Sequence, residues 1–380
     1  MKRKLRLLFV IRALTIGGSE RQVAQLCAGL AQRGHTVTLI TYYGGGIFSD
    51  LLKGTTVMSC CLGKKGRWDI QALWRLRCQI HQVMPDVIYT FLPAANALLA
   101  AMRPLLPFHR LVWGVRASNP DLTRYDNLTR CIFAAESGLS SIPSLIIANS
   151  EAGRRHAVER GFPPQRLKVV PNGIDISKFR PADSGHREAA RRSFGIAPDV
   201  LTIGVIARLD PMKDFATFLQ AMSRISSDRE INAVIAGPVA DRERGLLEEL
   251  ASNLGIKKNL RWLGAISDMA KVYAAVDVVC LPSAFGEGFP NVLGEAMACG
   301  LPCIATDVGD CRSILGKYGT IVPPRDPEIL SEALMHTFTL RNQSSLREKL
   351  RERVIEHYGL ARMVSKTEEL LLLARVGTFE

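Results

Sequence analysis

"VLTIGVIARLDPMKDFATFLQAM", residues 200–222, opens with an apolar run, leaves it through a charged loop and enters a helix. A strand that is apolar on both faces must be covered on both faces, which is the situation of a parallel sheet flanked by helices. The signature recurs along the chain: "LRLLFVI", "HTVTLIT", "TVMSCCL", "DVIYTF", "RLVWGVR", "SLIIANS" and "RLKVVPNG" precede it, and "INAVIAG", "NLRWLG", "DVVCLPS", "PCIATDV" and "GTIVPP" follow. Short β-branched runs separated by helical patterns predict an α/β, doubly wound architecture.

The alternation pauses at residues 171–200, "PNGIDISKFRPADSGHREAARRSFGIAPDV", where no strand pattern appears until Val200. A chain of 380 residues exceeds the size at which one core stops growing, so a boundary is expected there. The expected division is 1–177 and 178–359, each a Rossmann-like sheet facing the other across a cleft, with a C-terminal helix over 360–380 completing the first. Ligands of such sheets bind beyond the carboxyl ends of the strands, so chemistry is expected in the loops that follow strands.

Composition adds bounds. Hydrophobic residues make up 47% and charged residues 22%, the usage of a folded globular chain. The formal charge of +13 implies an anionic partner without choosing among nucleic acid, acidic lipid and phosphorylated small molecules. No basic, aromatic-interleaved stretch supports nucleic acid. Nine cysteines lie mostly in apolar runs such as "VDVVCLP", which suits buried thiols in a reducing cytosol. The start "MKRKLRLLFVI" mimics a signal peptide but reads better as a buried first strand. "FLPAANALLAAMRPLLPF" is broken by Pro93, Arg103, Pro104 and Pro107, so no membrane-spanning helix is expected.

Three constellations point to chemistry. In "RALTIGGSERQ", Gly17 and Gly18 let backbone amides approach an anion, and Ser19 is the expected N-cap of the next helix. No acid ends the second strand, which disfavours a nicotinamide dinucleotide. In "ARLDPMKDF", Arg208 and Lys213 are two cations five apart on a strand-to-helix loop, suited to a diphosphate. In "FGEGFPNVLGEAMACG", residues 285–300, Pro290 is expected at the first helical position, facing Asn291 and Val292 amides toward Glu287. Glu295 lies on an otherwise apolar helix and needs a hydrogen-bonding partner there, such as a ribose diol.

These residues resemble the retaining glycosyltransferases of the GT-B fold, family 4. "EGFPNVLGEAMACGLPCIATDVG" is similar to that family's paired-glutamate signature and its continuation, and "GGSERQ", "IIANSE", "VVPNGID" and "ARLDPMKDF" resemble its other landmarks in the same order. The resemblance implies a catalytic set of Glu287, Arg208 and Lys213, with Glu287 at the reacting end of the donor sugar and the two cations on its diphosphate. It implies donor contacts from Gly17, Gly18, Phe289, Pro290, Asn291 and Val292, and ribose contact from Glu295. Many members carry a histidine after the fifth amino-terminal strand; Arg116 stands there here, and Arg116 and Asn119 become the candidates for sugar or acceptor contact. Where members often have a glutamate after "TDVG", the nearest acid is Asp310.

The implied activity is transfer of a sugar from a nucleotide diphosphate, a UDP-sugar by preference, to a glycan or lipid-linked acceptor, with no cofactor. No Asp-x-Asp lies on a strand-end loop, so no metal is expected. Peripheral contact with an anionic membrane from the cytoplasmic side would use the basic surplus through Lys2, Arg3, Lys4, Lys64, Lys65 and Arg67, with Trp68 and Trp74 as interfacial anchors. The alternatives are a GT-B-fold sugar-nucleotide epimerase and a non-catalytic scaffold; the scaffold has no need of Glu287, Glu295, Arg208 and Lys213.

Overall fold

A computed structural model of the chain describes residues 4–107, 109–116, 118, 121–226, 230–238 and 240–377. Its contacts divide the chain into two units, Met1–Gly173 with Leu360–Glu380, and Ile174–Gly359. The division falls a few residues before the expected 177/178, because Gly173 already packs on Leu360 and Met363 of the last helix.

The first unit holds seven strands: β1 (Arg6–Ile11), β2 (Thr36–Thr41), β3 (Met58–Cys61), β4 (Val87–Phe91), β5 (Arg110–Val115), β6 (Leu145–Ala148) and β7 (Leu167–Val169). They run in the order β3-β2-β1-β4-β5-β6-β7, each pair parallel. Along β1 the side chains alternate between two cores, Leu7, Phe9 and Ile11 into one and Leu8 and Val10 into the other. That is the two-faced burial its uninterrupted hydrophobicity demands. The C-terminal helix Leu360–Val376 joins this unit: Arg33 and His35 both bond the Glu368 carboxylate, at 2.8 and 3.0 Å.

The second unit holds β8 (Leu201–Ile206), β9 (Ile231–Ala236), β10 (Leu260–Gly264), β11 (Val278–Leu281), β12 (Cys303–Thr306) and β13 (Thr320–Val322). Their order is β10-β9-β8-β11-β12-β13, again all parallel. Its faces are likewise shared, with Val279 and Leu281 in one core and Val278 and Cys280 in the other. Each of the thirteen apolar runs in the sequence is a strand. Both sheets are wound outward from a central pair, β1/β4 in the first and β8/β11 in the second, so each is a Rossmann-like fold whose winding reverses at that pair, the place where ligands of such sheets bind.

Candidate active site

The β8/β11 reversal brings together two loops far apart in sequence, 207–214 after β8 and 282–290 after β11. They are tied by a hydrogen bond from the Ala284 amide to the Met212 carbonyl at 2.8 Å. The first loop is shaped by two caps. Asp210 accepts from the Met212 amide at 3.0 Å, and Asp214, in the left-handed region at φ 44°, accepts from the Thr217 hydroxyl at 2.8 Å to start helix Phe215–Ile225. A third constraint comes from Gly237 at the end of β9, where a Cβ would lie 2.0 Å from the Ala207 carbonyl oxygen. The loop thus holds Arg208 outward, its side chain 66% exposed and 3.8 Å from Asp210, and turns Lys213 inward, 16% exposed.

Lys213 meets Glu287. Its ammonium pairs with Glu287 Oε1, and the Ser283 hydroxyl donates to the same oxygen at 2.6 Å. The glutamate side chain is only 7% exposed, a burial that an ionised carboxylate tolerates when it is paired and hydrogen-bonded. The loop after β12 completes the cradle. Thr306 donates its hydroxyl to the Ser283 carbonyl at 2.5 Å, and the Asp310 amide donates to Gly288 at 3.1 Å. Gly309, at φ 61°, presses so closely that a Cβ there would lie 2.1 Å from the Glu287 carbonyl oxygen. Only glycine serves both requirements. Behind the cradle, burial raises the Cys311 thiol pKa and the Glu287 charge adds to it, so Cys311 is no nucleophile.

Past Glu287, buried Phe289 packs edge-on against Tyr358, ring centroids 5.2 Å apart. Pro290 is the N-cap of helix Asn291–Ala298 rather than its first residue. Asn291 and Val292 are half-buried at the helix start. Glu295, 3% exposed, accepts a hydrogen bond from the Tyr273 hydroxyl at 2.8 Å. The sequence demanded a partner for this buried carboxylate, and the structure supplies one from the protein. Tyr273 carried no signal, being one apolar-spaced residue in "MAKVYAAVDV", whereas Ser283 stands four residues from Glu287 in the same loop. Arg351 caps the far end of the helix by donating to the Ala298 carbonyl at 2.7 Å.

In the first unit, Gly17 and Gly18 follow β1 at the β1/β4 reversal. Helix Gly18–Gln32 takes Gly17 as its N-cap, so Ser19 lies inside the first turn instead of capping it. Glu20 folds back over the cap: a Cβ on Gly17 would lie 2.0 Å from Glu20 Oε2. A carboxylate therefore already sits against the positive end of this helix. Arg116, beyond β5, donates to Asn172 Oδ1 and to the Tyr89 hydroxyl, both at 3.2 Å, and lies 4.8 Å from the Phe91 ring centroid. Burial raises the Tyr89 pKa, and Arg116 pulls it back. Asn119, like Lys2 and Arg3, lies outside the described residues.

Two family models match the chain and between them leave only short stretches uncovered: "Glycosyltransferase Family 4" over residues 16–178 and "Glycosyl transferases group 1" over 186–357. The chain belongs to the family 4 glycosyltransferases. Among its relatives is a D-inositol 3-phosphate glycosyltransferase of Geodermatophilus obscurus, 35% identical over 205 residues, half of this chain and 44% of that protein. One from Mycobacterium marinum is 31% identical over 247 residues, 62% of this chain and 50% of that one. The chain thus spans about half the length of the curated relatives it matches. Its GT-B fold is that of Anabaena Alr3699/HepE in complex with UDP, with a TM-score of 0.82 at 20% identity over 97% of this chain and 99% of that one. WaaG, a glycosyltransferase involved in lipopolysaccharide biosynthesis, gives 0.74 at 18% identity over 96% and 99%. Among the described residues no helix is long and apolar enough to cross a membrane, and no group of three or more His, Cys, Asp or Glu side chains could hold a metal ion.

Proposed function

We propose that this chain is a retaining glycosyltransferase that moves a sugar from a UDP-sugar to a hydroxyl of a glycan or lipid-linked acceptor, in bacterial surface polysaccharide or glycoconjugate biosynthesis. The observation that carries the reading is the buried Lys213–Glu287–Ser283 group at the reversal point of the second sheet, with Arg208 exposed on the same loop as Lys213. In the reaction, the bond from the sugar's anomeric carbon to the diphosphate breaks, the bond to the acceptor oxygen forms on the same face, and the acceptor hydroxyl's proton passes to the departing diphosphate oxygen. Negative charge grows on the diphosphate as the bond breaks. Arg208 and Lys213 are the cations that meet it, each well-placed donor being worth about 2–4 kcal/mol at the transition state. Glu287 holds Lys213 in place before the donor arrives and faces the sugar's reacting end. Glu295 takes the ribose, Tyr273 orienting its carboxylate, and the turn from Phe289 to Val292 lines the donor.

UDP is the favoured nucleotide because the HepE structures contain UDP and UDP-glucose. No divalent cation enters this scheme, so transfer survives EDTA; a strict requirement for Mn²⁺ would contradict it. The deciding experiment is a thermal-shift screen of UDP-, GDP- and ADP-sugars, since a ligand that binds only the folded state raises its apparent stability. A UDP-specific shift that is lost in Arg208→Ala is expected. No shift with any nucleotide would sink the reading.

The place of work we propose is the cytoplasmic membrane's inner face, reached by peripheral contact. In the first unit the segment from β3 into helix Ile70–Val83 exposes Trp68 at 78%, Ile70 at 77% and Trp74 at 66%, beside Lys65 and Arg67. Amphipathic aromatic residues next to cations suit a lipid headgroup layer. Flotation with anionic vesicles is expected, and equal flotation with neutral ones would count against it.

A further inference from the structure

The second unit carries a cavity of about 280 Å³ at the opposite end of its sheet from the glutamate cradle. Val276 and Asp277 line it just before β11, and Leu301 lines it just before β12, so it lies at the amino-terminal ends of these parallel strands. Four arginines converge on it, Arg180, Arg187, Arg341 and Arg347, against two carboxylates, Asp183 and Asp277.

Both carboxylates are already engaged. Asp277 bonds Arg187 at 2.6 Å, lies 3.6 Å from Arg191 and accepts the Thr202 amide at 2.8 Å. Asp183 caps helix Ser184–Ser193 by accepting the His186 amide at 2.8 Å and also holds the His186 ring. Arg187 is consumed by Asp277 and by the carbonyls of Ala274 and Val276. The other three guanidinium groups keep their charge for something else. Arg341 donates to the Phe338 carbonyl at 2.8 Å, and among the described residues Arg180 and Arg347 have no carboxylate within ion-pair reach.

A helix end adds to this field. Helix Ser344–Tyr358 begins beside the cavity, with Asn342 and Arg347 both in the lining. Its cap residue, Gln343, supplies no side-chain acceptor, and its first turn holds no acid. The positive pole of a fifteen-residue helix therefore stands with the arginines instead of being neutralised. Like charges gathered around a concavity repel one another, and an anion that accepts from several guanidinium forks relieves that repulsion.

We propose that this cavity binds a small phosphate-bearing anion. Its volume lies just below the range for drug-sized ligands, which suits inorganic phosphate or the phosphate monoester of a compact metabolite and is too small for a nucleotide. The one thiol in its wall, Cys299, is pushed by burial up to about 12 and so offers no thiolate to a bound ester.

The test is isothermal titration calorimetry of the full chain in chloride buffer, with inorganic phosphate and glucose 6-phosphate as separate probes. Saturable binding is expected that UDP does not displace and that R180E/R347E weakens about tenfold or more. UDP-induced stabilisation is expected to survive in that variant. R347Q, which removes charge without reversing it, gives an intermediate loss and guards against a folding defect. Tighter binding of the ester assigns the site to a metabolite, and equal binding assigns it to free phosphate. Absence of saturation, indifference to both variants, or displacement by UDP would each overturn the proposal, the last by placing phosphate in the donor site.

Discussion

Replacing Lys213 by methionine keeps most of the unbranched side chain, removes the ammonium and strands the Glu287 carboxylate. Glu287 is 7% exposed, so water cannot replace the lost ammonium, although the Ser283 hydroxyl at 2.6 Å still donates to it. Removing one partner of a buried ion pair costs about 3–5 kcal/mol. With Lys213 itself 16% exposed and Ser283 retained, the lower end applies, about 3 kcal/mol. For a unit of this size that lowers the melting temperature by about 6–12 °C. The double variant K213M/E287Q leaves no stranded charge and is expected to recover most of the loss, a coupling of about 2–3 kcal/mol in the cycle. Stability and chemistry then separate: the double variant melts near wild type yet transfers no sugar, and E287A alone loses about a hundredfold to a thousandfold in turnover. Calorimetric melts of wild type, K213M, E287Q and the double variant close the cycle, and release of UDP from the donor found in the thermal-shift screen, measured in these and in E287A, reads the chemistry. If K213M melts with wild type, or the two substitutions add without coupling, the pair does not support Glu287 as described. Wild-type turnover in E287A would remove that residue from the reaction.

Other consequences are as concrete. Gly309→Ala places a methyl 2.1 Å from the Glu287 carbonyl oxygen at φ 61°. It is expected to cost about 1–3 kcal/mol and to lower transfer, with unchanged urea midpoint and activity as the contrary result. Iodoacetamide should modify exposed Cys61 and Cys131 first in the native protein and leave Cys280, Cys303 and Cys311 untouched, since burial raises their pKa and suppresses the thiolate. Peptide mass mapping reads the order, and early labelling of Cys311 would contradict it. Burial also raises the Glu136 pKa, against the pull of Arg160 and Asn96. The folded chain therefore holds that proton above the usual glutamate range, near pH 4.3, and its contribution to stability falls as pH rises through the folded value. Urea midpoints of E136Q should show a flatter decline than wild type just above that pH; identical slopes would exclude Glu136 as the cause.

The fold could be read because its signal is local. Strands such as β1 and β8 are apolar on both faces over consecutive residues, and that pattern needs no knowledge of the partner strand. The loops after them were equally visible: Arg208, Lys213 and Glu287 stand where strand ends place them. What could not be read were pairings across long separations. Lys213 and Glu287 are 74 residues apart and looked like separate diphosphate and sugar contacts, whereas here they hold each other. Tyr273 reaches Glu295 from a helix whose spacing announced only a core. At Gly17 the difference is two residues: a serine in a capping sequence suggests the cap, but Gly17 takes that position, and the Glu20 carboxylate folds back against it from inside the helix.

The chain leaves the first unit at Gly173 and returns to it at Leu360, and the two junctions are neighbours. Within the second unit the Ile174 amide donates to the Tyr358 carbonyl at 2.7 Å, beside a bridge between Ile174 and Gly359. Within the first, a Cβ on Gly173 would lie 2.8 Å from the Leu360 Cα. The second unit is thus a cassette spliced into a host at a single seam. Residues 174–359 form one continuous gene fragment, and the closeness of Gly173 to Leu360 means that a short splice spans the gap its removal leaves in the host, with both sheets keeping all their strands.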